Sequence, residues 1–233
     1  GPAYAALLSP PQVAALQLPA PNPYVPAHTE LLPPEPVRLI DEPALSLYHL
    51  QDTEFQRPLV AQVMRFRLPR TMASLRNATL LRFYEACVRE SLNETTYVAG
   101  QAGLHFTLSA SLEGVMLSLD GYDASAPRLL DEVAGALTAC PLSPQRFAAL
   151  KDRLLRELAA FEPIDAYLAL TESRRRAVRE FHWRPDELLP VAREVTLAQV
   201  QDFARTLYAR GRLEAMSYGN LGAADAAAAL RRL

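Results

Sequence analysis

Between Leu104 and Leu119 the chain alternates apolar and polar side chains in two successive runs. Leu104, Phe106, Leu108 and Ala110 interleave with His105, Thr107 and Ser109; Val115, Leu117 and Leu119 interleave with Met116, Ser118 and Asp120. A period of two puts alternate side chains on opposite faces of a strand. The connection between the runs, Ser111–Gly114, is so short that the two strands have to pair antiparallel. The chain must therefore build a sheet with one apolar face, and other parts of the sequence must cover that face.

Most of the remaining sequence can supply that cover. From Ser74 to about Tyr97 the apolar spacing is helical, through Leu80, Leu81, Tyr84, Val88 and Leu92. Further helices are expected from about Ala126 (Leu130, Val133, Leu137) and from Ser143-Pro144 (Phe147, Leu150, Leu154, Leu158). The second has a capping hydroxyl followed by proline at the first helical position. Others are expected over 164–180, 186–193, 197–208 (capped by Thr196) and 223–233. Strands are expected over 45–50, 59–68 and 212–218, with the polar segment Gln51–Arg57 suited to a hairpin between the first two. The order β-β-α-β-β-α-α-α-α-α-β-α defines an α+β fold, a mostly antiparallel sheet covered by helices on one face. More than half of the nineteen prolines lie before Pro43. Residues 1–43 accordingly read as an extended proline-rich arm packed on a single domain at 44–233, with Gly1-Pro2 as a cleavage scar. Leu16, Leu18, Tyr24, Val25, Leu31 and Leu32 give that arm apolar side chains to pack with.

Little in the chain speaks of chemistry of its own. The net charge of −2 gives no general pull toward nucleic acid or an anionic membrane, and no apolar run approaches the roughly 20 residues that span a bilayer. The four histidines, His28, His49, His105 and His182, are too far apart for two to sit on adjacent helical turns as zinc ligands usually do. Cys87 falls on the apolar side of a helical pattern and reads as a small buried hydrophobe; spacing does not settle whether it meets Cys140. No G-x-S-x-G elbow or phosphate-cradling glycine loop is present. Glu85, Glu90 and Glu94 read as a solvated helix face, and Arg174-Arg175-Arg176 with Arg179 as another, diluted by Glu172 and Glu180.

Several motifs in register nevertheless carry a resemblance. The segment Leu18-Pro19-Ala20-Pro21-Asn22-Pro23-Tyr24-Val25-Pro26 is similar to the entry of the third domain of the pitrilysin/insulysin zinc metallopeptidases. Leu47-Tyr48 through Asp52, Phe55 and Pro58 resembles that domain's first strands. Leu92-Asn93-Glu94, Tyr97, Ala99, Ala102, Gly103 and Leu104 match its L-N-E-x-x-Y-x-A-x-x-A-G-L segment. Gly121-Tyr122, Arg146-Phe147 with Lys151, and Gly219-Asn220 follow in order.

The resemblance implies one of four similar domains enclosing a chamber, with zinc held by the first domain and none by the third. In the first domain the zinc ligands sit on a helix corresponding to Asn77–Glu90, where Asn77, Leu80, Leu81 and Glu85 supply no imidazole. It thus implies a non-catalytic domain of a bacterial zinc metalloendopeptidase, without a catalytic residue or cofactor of its own. Its partners would be the other domains of the same polypeptide and peptide substrates, with neither nucleic acid nor membrane among them. The family-motif positions, expected to be structural, are Asn93, Glu94, Tyr97, Gly103, Gly121, Tyr122, Arg146, Phe147, Gly219 and Asn220. Two other parents fit the same residues: the peptidase that processes the pyrroloquinoline quinone precursor peptide, and an inactive scaffold subunit of a two-subunit processing peptidase.

Overall fold

The computed structural model describes residues 36–55, 57–68, 71–111, 114–122, 126–160, 166–209 and 211–233. The arm's residues up to 35, His28 among them, lie outside this description.

The described residues form six strands and eight helices. These are β1 (Val37–Asp41), β2 (Leu45–Gln51), β3 (Leu59–Arg67), α1 (Leu75–Ser91), α2 (Asn93–Gln101), β4 (Leu104–Ser111), β5 (Gly114–Tyr122), α3 (Ala126–Ala139), α4 (Pro144–Ala159), α5 (Ala166–Val178), α6 (Pro185–Glu194), α7 (Leu197–Leu207), β6 (Arg212–Gly219) and α8 (Ala223–Leu230). The strands make one sheet in the order β1-β2-β6-β3-β5-β4. The β2–β6 pairing is parallel and the others are antiparallel.

Three features depart from the sequence expectations. Val37–Asp41, placed by composition in the arm, is a strand pairing with β2; flanking prolines conceal it, and prolines are tolerated beside a sheet edge. β2 and β3 do not form a hairpin, because β6 lies between them. The polar link between β2 and β3 has only to cross one intervening strand, about 10 Å between its two neighbours. Its path is secured where Asp52 N–H donates to the Gly219 carbonyl (2.9 Å) and Asn220 N–H to the Leu59 carbonyl (2.8 Å). Finally, the single helix expected through Tyr97 is two, parting at Leu92. Ser91 Oγ donates to the Val88 carbonyl (2.8 Å), a back-bond that bends helices.

Helix α1 is the pillar of the domain. Ser74 caps it by accepting from Asn77 N–H (3.1 Å). Ala78, Leu80, Leu81, Phe83, Tyr84, Cys87 and Val88 are all buried. α1 packs on the sheet at β4 and also meets α3, α4, α6 and α7. The expected caps are present downstream: Ser143 accepts from Arg146 N–H, and Thr196 and Gln199 close a capping box on α7. The inward face of the sheet supplies Leu47, Val60, Met64, Phe66, Leu108, Val115, Leu117, Leu119 and Ala215 to the same core.

Where β5 ends beside the start of β4, two glycines let backbones touch. A Cβ on Gly121, at φ +132°, would lie 2.0 Å from the Gly103 carbonyl oxygen, and one on Gly103, at φ +78°, would meet the Tyr122 ring at 2.9 Å. The A-G-L and G-Y motifs are thus two halves of one contact. Gly121→Ala is expected to cost at least about 2 kcal/mol, since it adds a clash to a backbone conformation that side chains resist. Urea unfolding checks this, and an unchanged midpoint would contradict it.

Candidate functional site

The described histidines are dispersed. His49 is buried on β2 and its Nε2 donates to the Leu221 carbonyl (2.6 Å), anchoring the entry to α8. His105 is exposed on β4. His182 Nε2 donates to Glu172 Oε2 (2.7 Å). Among the described residues no group of three or more His, Cys, Asp or Glu side chains could hold a metal ion.

Where the resemblance would put zinc ligands, α1 carries packing residues and ion pairs. Leu80 and Leu81 are in the core, and Glu85 pairs with Arg89 (2.9 Å). Arg89 also donates through Nε and Nη2 to the Leu108 carbonyl (3.1 and 2.5 Å), tying α1 to β4. Glu90 meets Arg146 (3.4 Å) and Arg153 (3.9 Å), and Glu94 meets Arg146 (3.9 Å). Glu85, Arg89, Glu90 and Arg153, with Arg82 and Glu157, line a charged cleft of about 610 Å³ between α1 and α4. Exposed pairs of this kind contribute about 0–1 kcal/mol each. Their value is in fixing how α4 lies on α1.

Two members of the arginine run are likewise paired with neighbouring carboxylates, Arg175 with Glu172 (2.7 Å) and Arg176 with Glu187 (3.7 Å). Lys151, the only lysine in the chain, donates to the carbonyls of Arg193 and Val195 (both 2.7 Å) and so closes the C-terminal end of α6. Cys87 and Cys140 are buried and unoxidised. The hydrogen bond between them, with burial, pushes the Cys87 thiol far above its ordinary range. Such a thiol is inert as a nucleophile.

The motif positions fall into four places. Arg146 joins α4 to Glu90 and Glu94, while Phe147 is buried with its ring 6.0 Å from that of Phe83. Gly103, Gly121 and Tyr122 make the close contact between β4 and β5. Gly219, at φ +120°, and Asn220 hold the exit of β6 against Leu59. Asn93, Glu94 and Tyr97 are exposed on α2.

One face of the sheet carries partly exposed apolar side chains that no described helix covers. The register aligns Tyr48, Met216, Val63, Ser118 and Thr107 into one row across five strands. Tyr48, Val63, Met116 and Met216 retain 41, 44, 38 and 38% of their exposure. The row ends at β4, which pairs with β5 on one side and with no described strand on the other. An edge strand of this kind presents main-chain donors and acceptors to a further strand. In the sequence the row's members alternate with core residues and pass for ordinary solvent positions. The apolar character of Val63, Met116 and Met216 was the available signal.

Residues 4–191 match the family model described as the middle or third domain of peptidase M16. The chain is 28% identical over 211 residues to human insulin-degrading enzyme, covering 88% of this chain and 21% of that protein. It is also 28% identical over 201 residues to a protein of Schizosaccharomyces pombe named as a zinc protease, covering 86% of this chain and 20% of that one. The crystal structure of pitrilysin superposes with a TM-score of 0.76 at 22% identity, over 93% of this chain and 24% of that one. The chain therefore belongs to the M16 peptidase family, as its middle or third domain. It spans about a fifth of the length of these relatives.

The Glu172–His182 contact makes a testable pH dependence. Burial raises the Glu172 carboxyl, but the hydrogen bonds from His182 and Arg175 outweigh it and hold the group below its ordinary value. A depressed carboxylate stabilises the fold above the unfolded value, about 4.3, and that contribution is lost as pH falls through the folded one. The stability difference between the wild type and Glu172→Gln is expected to shrink between about pH 5 and pH 3. A constant difference in urea titrations over that range would contradict this.

Proposed function

We propose that this chain is the non-catalytic third domain of a bacterial zinc metalloendopeptidase, forming part of a chamber wall and holding peptide substrates there. The zinc and the catalytic groups belong to another domain of the parent. The observation that carries the reading is the sheet face that no described helix covers, with β4 at its edge pairing with no second described strand. An extended peptide can add to such an edge through main-chain hydrogen bonds, and alternate side chains then rest on the neighbouring face. The family membership supports a peptidase parent, and α1, with Leu80 and Leu81 in the core and Glu85 and Glu90 in ion pairs, supports a domain without its own metal. The apolar row Tyr48–Met216–Val63 favours unfolded substrates, which expose the side chains it can cover.

Two measurements on the purified chain test this. Zinc added with a fluorogenic peptide is expected to give no cleavage, and zinc-dependent turnover would overturn the reading. An unfolded peptide titrated into labelled protein is expected to shift the amides of β4 and of the strands beneath the row. Val63→Glu should weaken that binding about tenfold, as expected for losing one well-covered apolar contact. Shifts confined to the helical layer would contradict the assignment.

A further inference from the structure

A cleft of about 430 Å³ opens between α2, α3 and the ends of β4 and β5. Val98, Ala99, Ala102, Leu104, Tyr122 and Leu129 give it an apolar lining. It is a separate surface from the uncovered face, since Leu104 and Leu129 reach it from the helix-covered core. Helix α2, its outer wall, is anomalous: all nine of its residues escape burial, and Tyr97 and Val98 are 69 and 68% exposed. Nine residues make a marginal helix in water, and helices in proteins owe most of their stability to a packed apolar face. The apolar face of α2 points to a contact beyond this domain.

Charge narrows the choice of partner. Glu94 and Glu132 stand at the rim with Arg128. Glu132 is engaged by Arg128 (3.5 Å) and by Thr95 Oγ1 (2.8 Å). The Glu94 side chain is 87% exposed and has Arg146 only at 3.9 Å. With Arg128 engaged on Glu132 and Arg146 reaching Glu94 only at 3.9 Å, the exposed Glu94 carboxylate is the rim group with room for a further cation. The chain covers only about a fifth of the length of its relatives, so most of a parent of that size lies outside it and has to pack somewhere on its surface. Permanent interfaces are the more apolar kind, which suits a neighbouring domain better than a passing peptide.

We infer that this cleft is an interdomain socket. It receives a large aliphatic or aromatic side chain, accompanied by a basic residue that meets Glu94, from a neighbouring domain of the parent polypeptide. The inference rests on the proposed reading of the chain as one domain of a larger peptidase.

Hydrogen exchange followed by mass spectrometry, on this chain and on the full-length parent, tests it. The amides of α2 are expected to exchange at least about tenfold more slowly in the parent. Val98→Asp should erase that difference while leaving the melting temperature of the isolated chain unchanged, because Val98 is exposed there. Equal exchange of α2 in the two proteins would overturn the socket. So would protection in the isolated chain that grows with its own concentration, which identifies a second copy as the occupant. Protection that appears only on adding peptide would overturn it as well, in favour of substrate. Equal exchange in a parent that still cleaves peptides with zinc sinks the socket alone, whereas a parent without zinc-dependent cleavage sinks the reading beneath it.

Discussion

The structure depends on one helix being buried on nearly every side. Phe83, Tyr84, Cys87 and Val88 of α1 are without solvent exposure, and each apolar side chain so buried contributes about 1.5–3 kcal/mol relative to exposure. The Tyr84 hydroxyl is satisfied in this interior: it donates to the Leu137 carbonyl and shares a hydrogen bond with Tyr208. Burial raises both phenols above their ordinary range, so they remain neutral members of the core. Arg89, reaching the Leu108 carbonyl, fixes the C-terminal end of the helix over the sheet.

That arrangement decides where function can reside. At the positions where the resemblance would put zinc ligands, this helix spends Leu80 and Leu81 on packing, and Glu85 and Glu90 are held in ion pairs with Arg89, Arg146 and Arg153. The sheet face that carries Val63, Met116 and Met216, and the edge at β4, are where the proposed peptide contacts fall. The cleft beside α2 offers a second surface, walled by a helix that extends beyond the core α1 belongs to.

Much of this was legible in the sequence because local physics and tertiary packing agree. The alternation from Leu104 to Leu119 gives β4 and β5 directly, and Ser143-Pro144 and Thr196 mark the starts of α4 and α7. Other features rest on non-local contacts. Nothing local announces that β6 inserts between β2 and β3, since alternation reports a strand's faces and is silent about its neighbours. β1 is masked by flanking prolines, and the break at Leu92 by a Ser91 back-bond within an otherwise continuous helical pattern. Gly103 and Gly121 are eighteen residues apart, and their shared role emerges only when β4 and β5 pair. The row Tyr48–Met216–Val63 is assembled from three strands and exists only in the sheet.

The most direct test of the account is to locate a bound peptide. An unfolded peptide carrying a photoreactive phenylalanine can be cross-linked to the chain and the adducts mapped by mass spectrometry. The account predicts adducts on β4 and on the face that carries Val63, Met116 and Met216. Adducts concentrated on α4, α6 and α7 would contradict it.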